Sequence, residues 1–477
     1  MNSSKILTLS VIFIITTCGM LFAQTHSRGL DFNDEGYSQT PKKAKLVRAL
    51  DTLPSRASIK AYAPYPKNQE QYGTCAAWAG AYCARTIQDA IKNNLADRDS
   101  ITKYAYSPAF LFRLLRPNDG SCVGGSDLER ALRVLKSKGC IPYSILPVQC
   151  IDSVNKTQLD KAASSKLKDY VRLFDISSSA NIKVQAVKKA ISEKKPVVVG
   201  MICPPSFDHV YNYWKPTEQP LEIYPGHAMC IVSYDDTLYN GAFEIQNSWG
   251  TTWGNDGYIW IKYTDFSKFV KYCYELIDMP DTPPGLPDLS GSIRLALSNG
   301  SQMPVNLKAT ARGLKVVDAA STTPDPLTIY QTADTYTSGT NFRIYISNNQ
   351  PAYIYAISSD ITNEVTKIFP YQDGISAALT YKKNDVAIPD EDHYIQFDNQ
   401  AGKDYLCVLY SKNELNINDL VAKVAAATGT FSERIFNNIS SHLVDTKNIK
   451  FDTDRIGFNG FSNGKDVIAL MVQLNHK

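Results

Sequence analysis

The stretch NQEQYGTCAAWAG, residues 68–80, sets one cysteine between a glycine turn and a run of small, helix-forming residues. Gly73 permits a tight turn, Thr74 suits a helix N-cap, and Cys75 then falls in the first helical turn. A thiol at that point feels the positive end of the helix dipole and unpaired backbone N–H groups, both of which favour the thiolate. Two readings follow. Cys75 is half of a structural disulfide, or it is a nucleophile, and the rest of the chain has to choose between them.

The chain of 477 residues is too long for one ordinary core, which predicts two or three domains. It is 44% hydrophobic and 20% charged, with a formal net charge of +3 built from mixed signs. No basic block points to nucleic acid or an anionic membrane as partner. Residues 1–23 read as a secretory signal peptide: one early lysine, the apolar run Ile6–Phe22, and a small residue, Ala23, for cleavage. The rival readings are a retained anchor, or a bacterial lipoprotein attached through Cys18 behind a poor lipobox. No other segment has the ~20 apolar residues of a membrane span, so no stable insertion is expected after cleavage. The expectation is an exported protein (periplasm, cell surface or secreted), where disulfides can form. Nine cysteines remain after Cys18, an odd number, so at least one thiol lacks an intramolecular partner.

Residues 24–53 are polar and weakly patterned and read as a short flexible leader. The proline-dense run from Pro280 to Pro287 is the clearest linker, which divides the chain into a domain over 54–280, a linker over 281–291 and a second domain over 292–477. In the first domain, helices are expected from Cys75 to about Asn93 and from Ser126 to Lys138. Strands are expected at Pro196–Met201, Ala228–Ser233, Ala242–Gln246 and Tyr258–Lys262. Helices first and strands later predict an α+β domain of two lobes, with a site between them. Beyond the linker the pattern is mainly β: Asn341–Ile346 and Ala352–Ile357 alternate, with Asn348-Asn349-Gln350 as a candidate hairpin turn. Tyr405–Tyr410 and Val467–Leu474 are further strands, and one helical region lies near 417–439.

Thiolate chemistry needs an imidazole, a group to orient it, and an oxyanion hole. Of six histidines, His26, His442 and His476 have no motif around them, His393 follows acidic residues in a loop, and His209 sits among aromatics. His227 opens the strand Gly226-His227-Ala228-Met229-Cys230, which would project it where the lobes meet. Twenty residues later comes Asn247-Ser248-Trp249-Gly250, running on to Gly257-Tyr258.

In order and separation, Gln69 to Cys75, Gly226-His227-Ala228 and the Asn247 block resemble the papain/cathepsin family of cysteine peptidases. Ser107-Pro108-Ala109-Phe110-Leu111 and Cys122-Val123-Gly124-Gly125 support this. The resemblance covers residues 54–278. It implies a helical lobe plus a β-barrel-like lobe, followed here by a sandwich-like β domain, and an endopeptidase acting through a covalent acyl-enzyme. It also implies roles: Cys75 as nucleophile, His227 as its acid–base partner, Asn247 as the group orienting the ring, and Trp249 as a shield over that contact. Gln69 would donate to the oxyanion hole, and Gly124, Gly125 and Gly226 would lie along the substrate backbone. Protein or peptide substrates are implied, with no cofactor and no metal. An exopeptidase, an amide-transferring relative with the same triad, and a non-catalytic peptide-binding protein on this fold are the alternatives.

The sequence also departs from the family's pattern. Tyr72 stands where relatives often have a cysteine bridged to the one before the paired glycines, so Cys122 loses its usual partner, and Ala76 replaces an aromatic. Cys140 and Cys150 are candidates to pair across the turn at Pro142, while Cys83 and Cys230 read as plain buried thiols. The leader of about thirty residues is short for an inhibitory propeptide; either it blocks the cleft or the enzyme is made active. The C-terminal domain resembles an accessory module found beside bacterial peptidases, with substrate, cell surface or the peptidase domain itself as possible targets. Asp390-Glu391-Asp392 reads as a solvated acidic loop rather than a cation site.

Overall fold

The computed structural model describes residues 26–44, 53–279, 282–283, 285–308, 325–380, 385–390 and 392–477. The signal peptide with Cys18, and Glu391 of the acidic loop, lie outside the described residues. Among those described, no helix is long and apolar enough to cross a membrane.

In the first domain, the run from residue 75 is helical to Lys92, as Cys75–Ala77, a π-helical stretch Trp78–Arg85, and Thr86–Lys92. Every residue of Trp78–Arg85 is buried, and a π segment in a helix is a frequent companion of a functional site. The second expected helix forms as Leu128–Lys138, where the Asp127 side chain accepts from the Arg130 N–H and Leu128, Ala131, Leu132 and Leu135 are buried. Strands Val197–Ile202, Gly226–Asp235, Ala242–Gln246 and Tyr258–Lys262 are neighbours in an eight-stranded sheet, with Val270–Ile277 and Asp169–Arg172 beyond Val197–Ile202. Helices and sheet share one core, into which Ala77, Ala84, Leu132, Val198, Met229 and Ile245 all pack.

The second domain is a sandwich. One sheet runs in the order Val305–Leu307, Ile329–Tyr336, Val467–His476, Gly402–Ser411, Ala352–Ser359, Val365–Phe369. The other is built around Asn341–Asn348, Leu289–Leu297 and Ile456–Gly460. The strand Leu289–Leu297 takes up the last residues of the expected linker. Asn341–Asn348 alternates between buried and half-buried, as a one-sided strand should. Ala352–Ser359 is buried on both faces because helices Ile417–Ala426 and Phe431–Ile439 cover the outer one. The expected hairpin between those two strands does not form. Asn341–Asn348 pairs with Leu289–Leu297, whereas Ala352–Ser359 pairs with Gly402–Ser411, so residues 349–351 pass between the sheets. Both strands carry apolar faces that must meet across the core, and facing each other buries more than lying side by side.

The expectation of a flexible leader fails for residues 26–44. After the helix Asp34–Gln39, the backbone of residues 41–43 is held from both sides. Arg172 N–H donates to Pro41 O (3.0 Å) and Lys43 N–H to Arg172 O (2.9 Å). On the other side, Lys42 N–H donates to Gly374 O (2.6 Å) and Ser376 N–H to Lys42 O (2.8 Å). Lys43 adds ion pairs to Glu275 (2.6 Å) and Glu193 (3.2 Å). Residues 41–43 thus bridge the first domain's sheet and the C-terminal domain by isolated backbone bridges at Lys42. The leader's polar sequence hid this because main-chain groups make most of the contacts.

Candidate active site

Cys75 begins the buried helix and is itself fully buried. Thr74 occupies the N-cap position but makes no capping bond, and its buried hydroxyl has no hydrogen-bond partner among the described residues. The turn before it is braced by main chain instead. Gly73 N–H donates to Cys122 O (2.9 Å), and Gln69 N–H donates to Ser248 O (2.7 Å). A Cβ on Gly73 would stand 2.5 Å from Gly124 O, so only glycine allows this approach. No disulfide at position 72 is needed. Cys122 pairs with Cys150, and Cys140, the partner weighed for Cys150, is a buried free thiol together with Cys83 and Cys230.

His227 stands opposite Met201 in the sheet, and Asn247 follows the strand Ala242–Gln246. Asn247 Oδ1 accepts from Ser248 N–H and lies 2.7 Å from His227 Nε2. An oxygen acceptor there assigns the ring proton to Nε2 and leaves Nδ1 as the lone-pair nitrogen. His227 Nδ1 has no hydrogen-bond partner among the described residues. The Cys75 sulfur faces the backbone N–H groups of Ala228 and Ala76. The Trp249 indole stacks on the His227 ring, centroids 4.5 Å apart, closing its face to water. Gln69 is buried and fixed by the Ser248 hydroxyl, which donates to its Oε1 at 2.6 Å, so its amide nitrogen points into the cleft. Gly124 N–H is taken by Asp119 Oδ2 (2.8 Å), whereas Gly125 faces the cleft against the Asp31 carboxylate.

The leader fills the cleft. Leu30 N–H donates to Gly226 O (3.3 Å), Asp31 N–H to Ser126 O (3.2 Å), and Ser126 N–H to Gly29 O (2.8 Å). Gly29 N–H points at the Cys75 sulfur. Ser27 O accepts from Gln69 Nε2 (3.2 Å) and Trp249 Nε1 (3.1 Å). His26 stacks on Trp249 at 4.5 Å.

Residues 55–273 match the family described as papain family cysteine protease. This stretch is papain-like. Residues 335–414 match a domain of unknown function, DUF4384, within the accessory domain. The papain-like stretch is similar to cathepsin B-like CP2 of Giardia intestinalis, at 28% identity over 177 residues, 32% of this chain and 51% of that protein. Cathepsin K of Gallus gallus is 28% identical over 208 residues, 42% of this chain and 55% of that protein. The chain thus spans about half the length of these curated relatives. Among solved structures, xylellain, a cysteine protease from Xylella fastidiosa, aligns at 20% identity with a TM-score of 0.42, covering 54% of this chain and 96% of that one.

With the leader seated, the papain-like site is electrically silent. Burial pushes the Cys75 thiol up to about 11 and the His227 imidazole down to about 3. This reverses the sequence expectation of a thiolate, because desolvation under the leader outweighs the helix N-terminus. A depressed histidine stabilises the fold above its ordinary value of about 6.5 and loses that contribution as pH falls toward 3. The raised thiol acts below its ordinary value of about 8.5, and its contribution fades as pH rises toward 11. Urea unfolding of the native chain and of His227→Gln should therefore diverge with acid. Below pH 6.5 the native chain should lose up to about 1.4 kcal/mol per pH unit more than the variant. A constant difference would mean that the folded ring is not held neutral.

Sequence reading did not find His26, Ser27, Arg28, Gly29 and Leu30 in the cleft, nor Asp208 in its wall. The one local signal was Gly29 between a basic and an apolar residue, where a backbone can approach another closely.

Proposed function

We propose that this chain is an exported thiol endopeptidase held latent by its own leader. The observation that carries the reading is the His227 Nε2 to Asn247 Oδ1 contact of 2.7 Å with Nδ1 left over, beside a cysteine at a helix start. Once the leader lifts, water and the helix N-terminus favour thiolate over thiol, and His227 Nδ1 takes the proton. The sulfur attacks the substrate carbonyl carbon. The oxyanion is received by Gln69 Nε2 and the Cys75 backbone N–H, which stand ready without reorganisation. His227 then gives its proton to the leaving amine, and the acyl-enzyme remains on sulfur. Water, deprotonated by the same imidazole, releases the acid and returns the thiol. Asn247 keeps the ring in the tautomer both steps need. The leader passes on both sides of Cys75, so the cleft admits a continuous chain, which favours internal over terminal cleavage.

The test uses a thiol-directed peptidyl epoxide on the native full chain and on Cys75→Ala. Labelling is expected in the native protein only, and equal labelling of both would sink the assignment. Cleavage within a peptide library, rather than trimming from one end, is the companion result expected.

A further inference from the structure

Arg28 makes the most enclosed polar contact of the leader in the cleft. Its Nη2 is 3.0 Å from Asp208 Oδ1, with side-chain exposures of 8% and 6%. The same nitrogen reaches Pro204 O at 3.5 Å, and the guanidinium lies 5.2 Å from the centre of the Trp249 ring. Asp208 is held in the wall by the 3-10 turn Pro205–Phe207, through its N–H to Pro205 O. Among the described residues its carboxylate has no other side-chain hydrogen-bond partner than Arg28. A carboxylate so enclosed is costly unless a cation meets it.

The side of the cleft follows from the order of contacts along the leader. Leu30 pairs with Ser126 and Gly226, Gly29 lies over the Cys75 sulfur, and Ser27 and Arg28 lie at Trp249. The Asp208 pocket is therefore across the nucleophile from the glycine strip, beside the ring that protonates the departing amine. That is the leaving-group side.

We propose that Asp208, with the Trp249 face and Pro204 O, forms a guanidinium pocket that selects substrates carrying arginine just beyond the scissile bond. The leader occupies this pocket with Arg28 as a stand-in for that residue. The inference rests on the peptidase reading. When the leader leaves, Asp208 faces the cleft unpaired. An incoming arginine restores a charge-assisted bond and a cation–π contact, whereas an acidic residue meets like charge at close range. A leucine in the same place leaves the carboxylate uncompensated.

Matched quenched-fluorescence peptides that differ only in the first residue after the scissile bond provide the test on the full chain. The ratio of kcat/KM values within one preparation cancels the fraction of molecules whose cleft is open. Arginine is expected to exceed leucine by at least ~10-fold and glutamate by more. In Asp208→Asn the arginine-to-leucine ratio should collapse toward one, and in Asp208→Arg glutamate should become preferred. A ratio near one in the native chain, or one that survives Asp208→Asn, overturns the proposal. Alkylation of Cys75 by iodoacetamide needs no turnover and separates this from failure of the peptidase reading. If nothing is cleaved, Arg28→Leu and Asp208→Asn should still each speed alkylation, and the double variant should be no faster than the faster single. Additive effects would mean that the two residues do not act as a pair, and would overturn the pocket.

Discussion

Gly29→Ala is expected to open the cleft. A Cβ at this position would stand 2.1 Å from Gly73 O and 2.3 Å from Gly73 C, and these are backbone atoms in the braced turn that carries Cys75. Neither side can swing away, so the leader must lift as a unit. Lifting strains the bonds from Leu30 to Gly226 and from Asp31 to Ser126 that seat it. Overpacking of this kind costs about 1–3 kcal/mol, which converts to a ~5–150-fold rise in the open population. The measurement is the rate at which iodoacetamide alkylates Cys75 in the full chain, since the buried thiol reacts only when uncovered. Ser38→Ala is the control: its hydroxyl donates to Asp34 O within the leader helix, away from the cleft. An alkylation rate unchanged in Gly29→Ala would remove the leader as the cover of the site.

Gln69→Ala separates nucleophile from oxyanion hole. The Gln69 amide nitrogen donates to Ser27 O at 3.2 Å, where it rehearses on the leader the bond proposed for the substrate oxyanion. Losing one such donor lowers kcat by roughly 10²–10³, or about 3–4 kcal/mol of transition-state stabilisation. Alkylation of the thiol develops no oxyanion, and the leader has lost a tether, so the labelling rate should not fall. A fall in both rates would point to a misplaced Cys75 turn, since Gln69 also joins that turn to Ser248. Turnover kept within a few-fold of native would remove Gln69 from the oxyanion hole.

The bracing of the active-site turn illustrates how far sequence carries. Gly73 before Cys75 read as a tight turn, and the structure adds a close backbone approach to Gly124 O that the turn reading did not contain. The absence of a cysteine at position 72 was also legible, but what replaces the bridge was not. Main-chain bonds from Cys122 and Ser248 do so, and main-chain groups carry no residue identity. Thr74 does stand at the N-cap but makes no capping bond, because propensity gives the position and not whether the hydroxyl finds a donor. In the accessory domain, period-two alternation located the strands, yet the segment after Asn348 changes sheet instead of turning back. Alternation says which face of a strand is apolar and not which strand lies beside it.

By itself, then, the sequence singled out residues that the fold gathers around Cys75, and a helix-and-strand part followed by a mainly-β one. These signals are local: Cys75 opens a helix, Gly226 and His227 open a strand and Asn247 follows one, while Gln69, Gly124 and Gly125 stand in loops between elements. Tertiary structure alone decided what those groups experience. The helix N-terminus predicts an acidic thiol, but burial with the leader seated pushes the Cys75 thiol up and the His227 imidazole down, and the nearby charges of Arg28 and His26 depress His227 further. Desolvation is set by whatever segment packs on top, and over the cleft the leader does so through backbone contacts, the His26 stack on Trp249 and the Arg28–Asp208 ion pair. A polar leader and an aspartate in a loop carry no mark of that meeting until the fold brings them together.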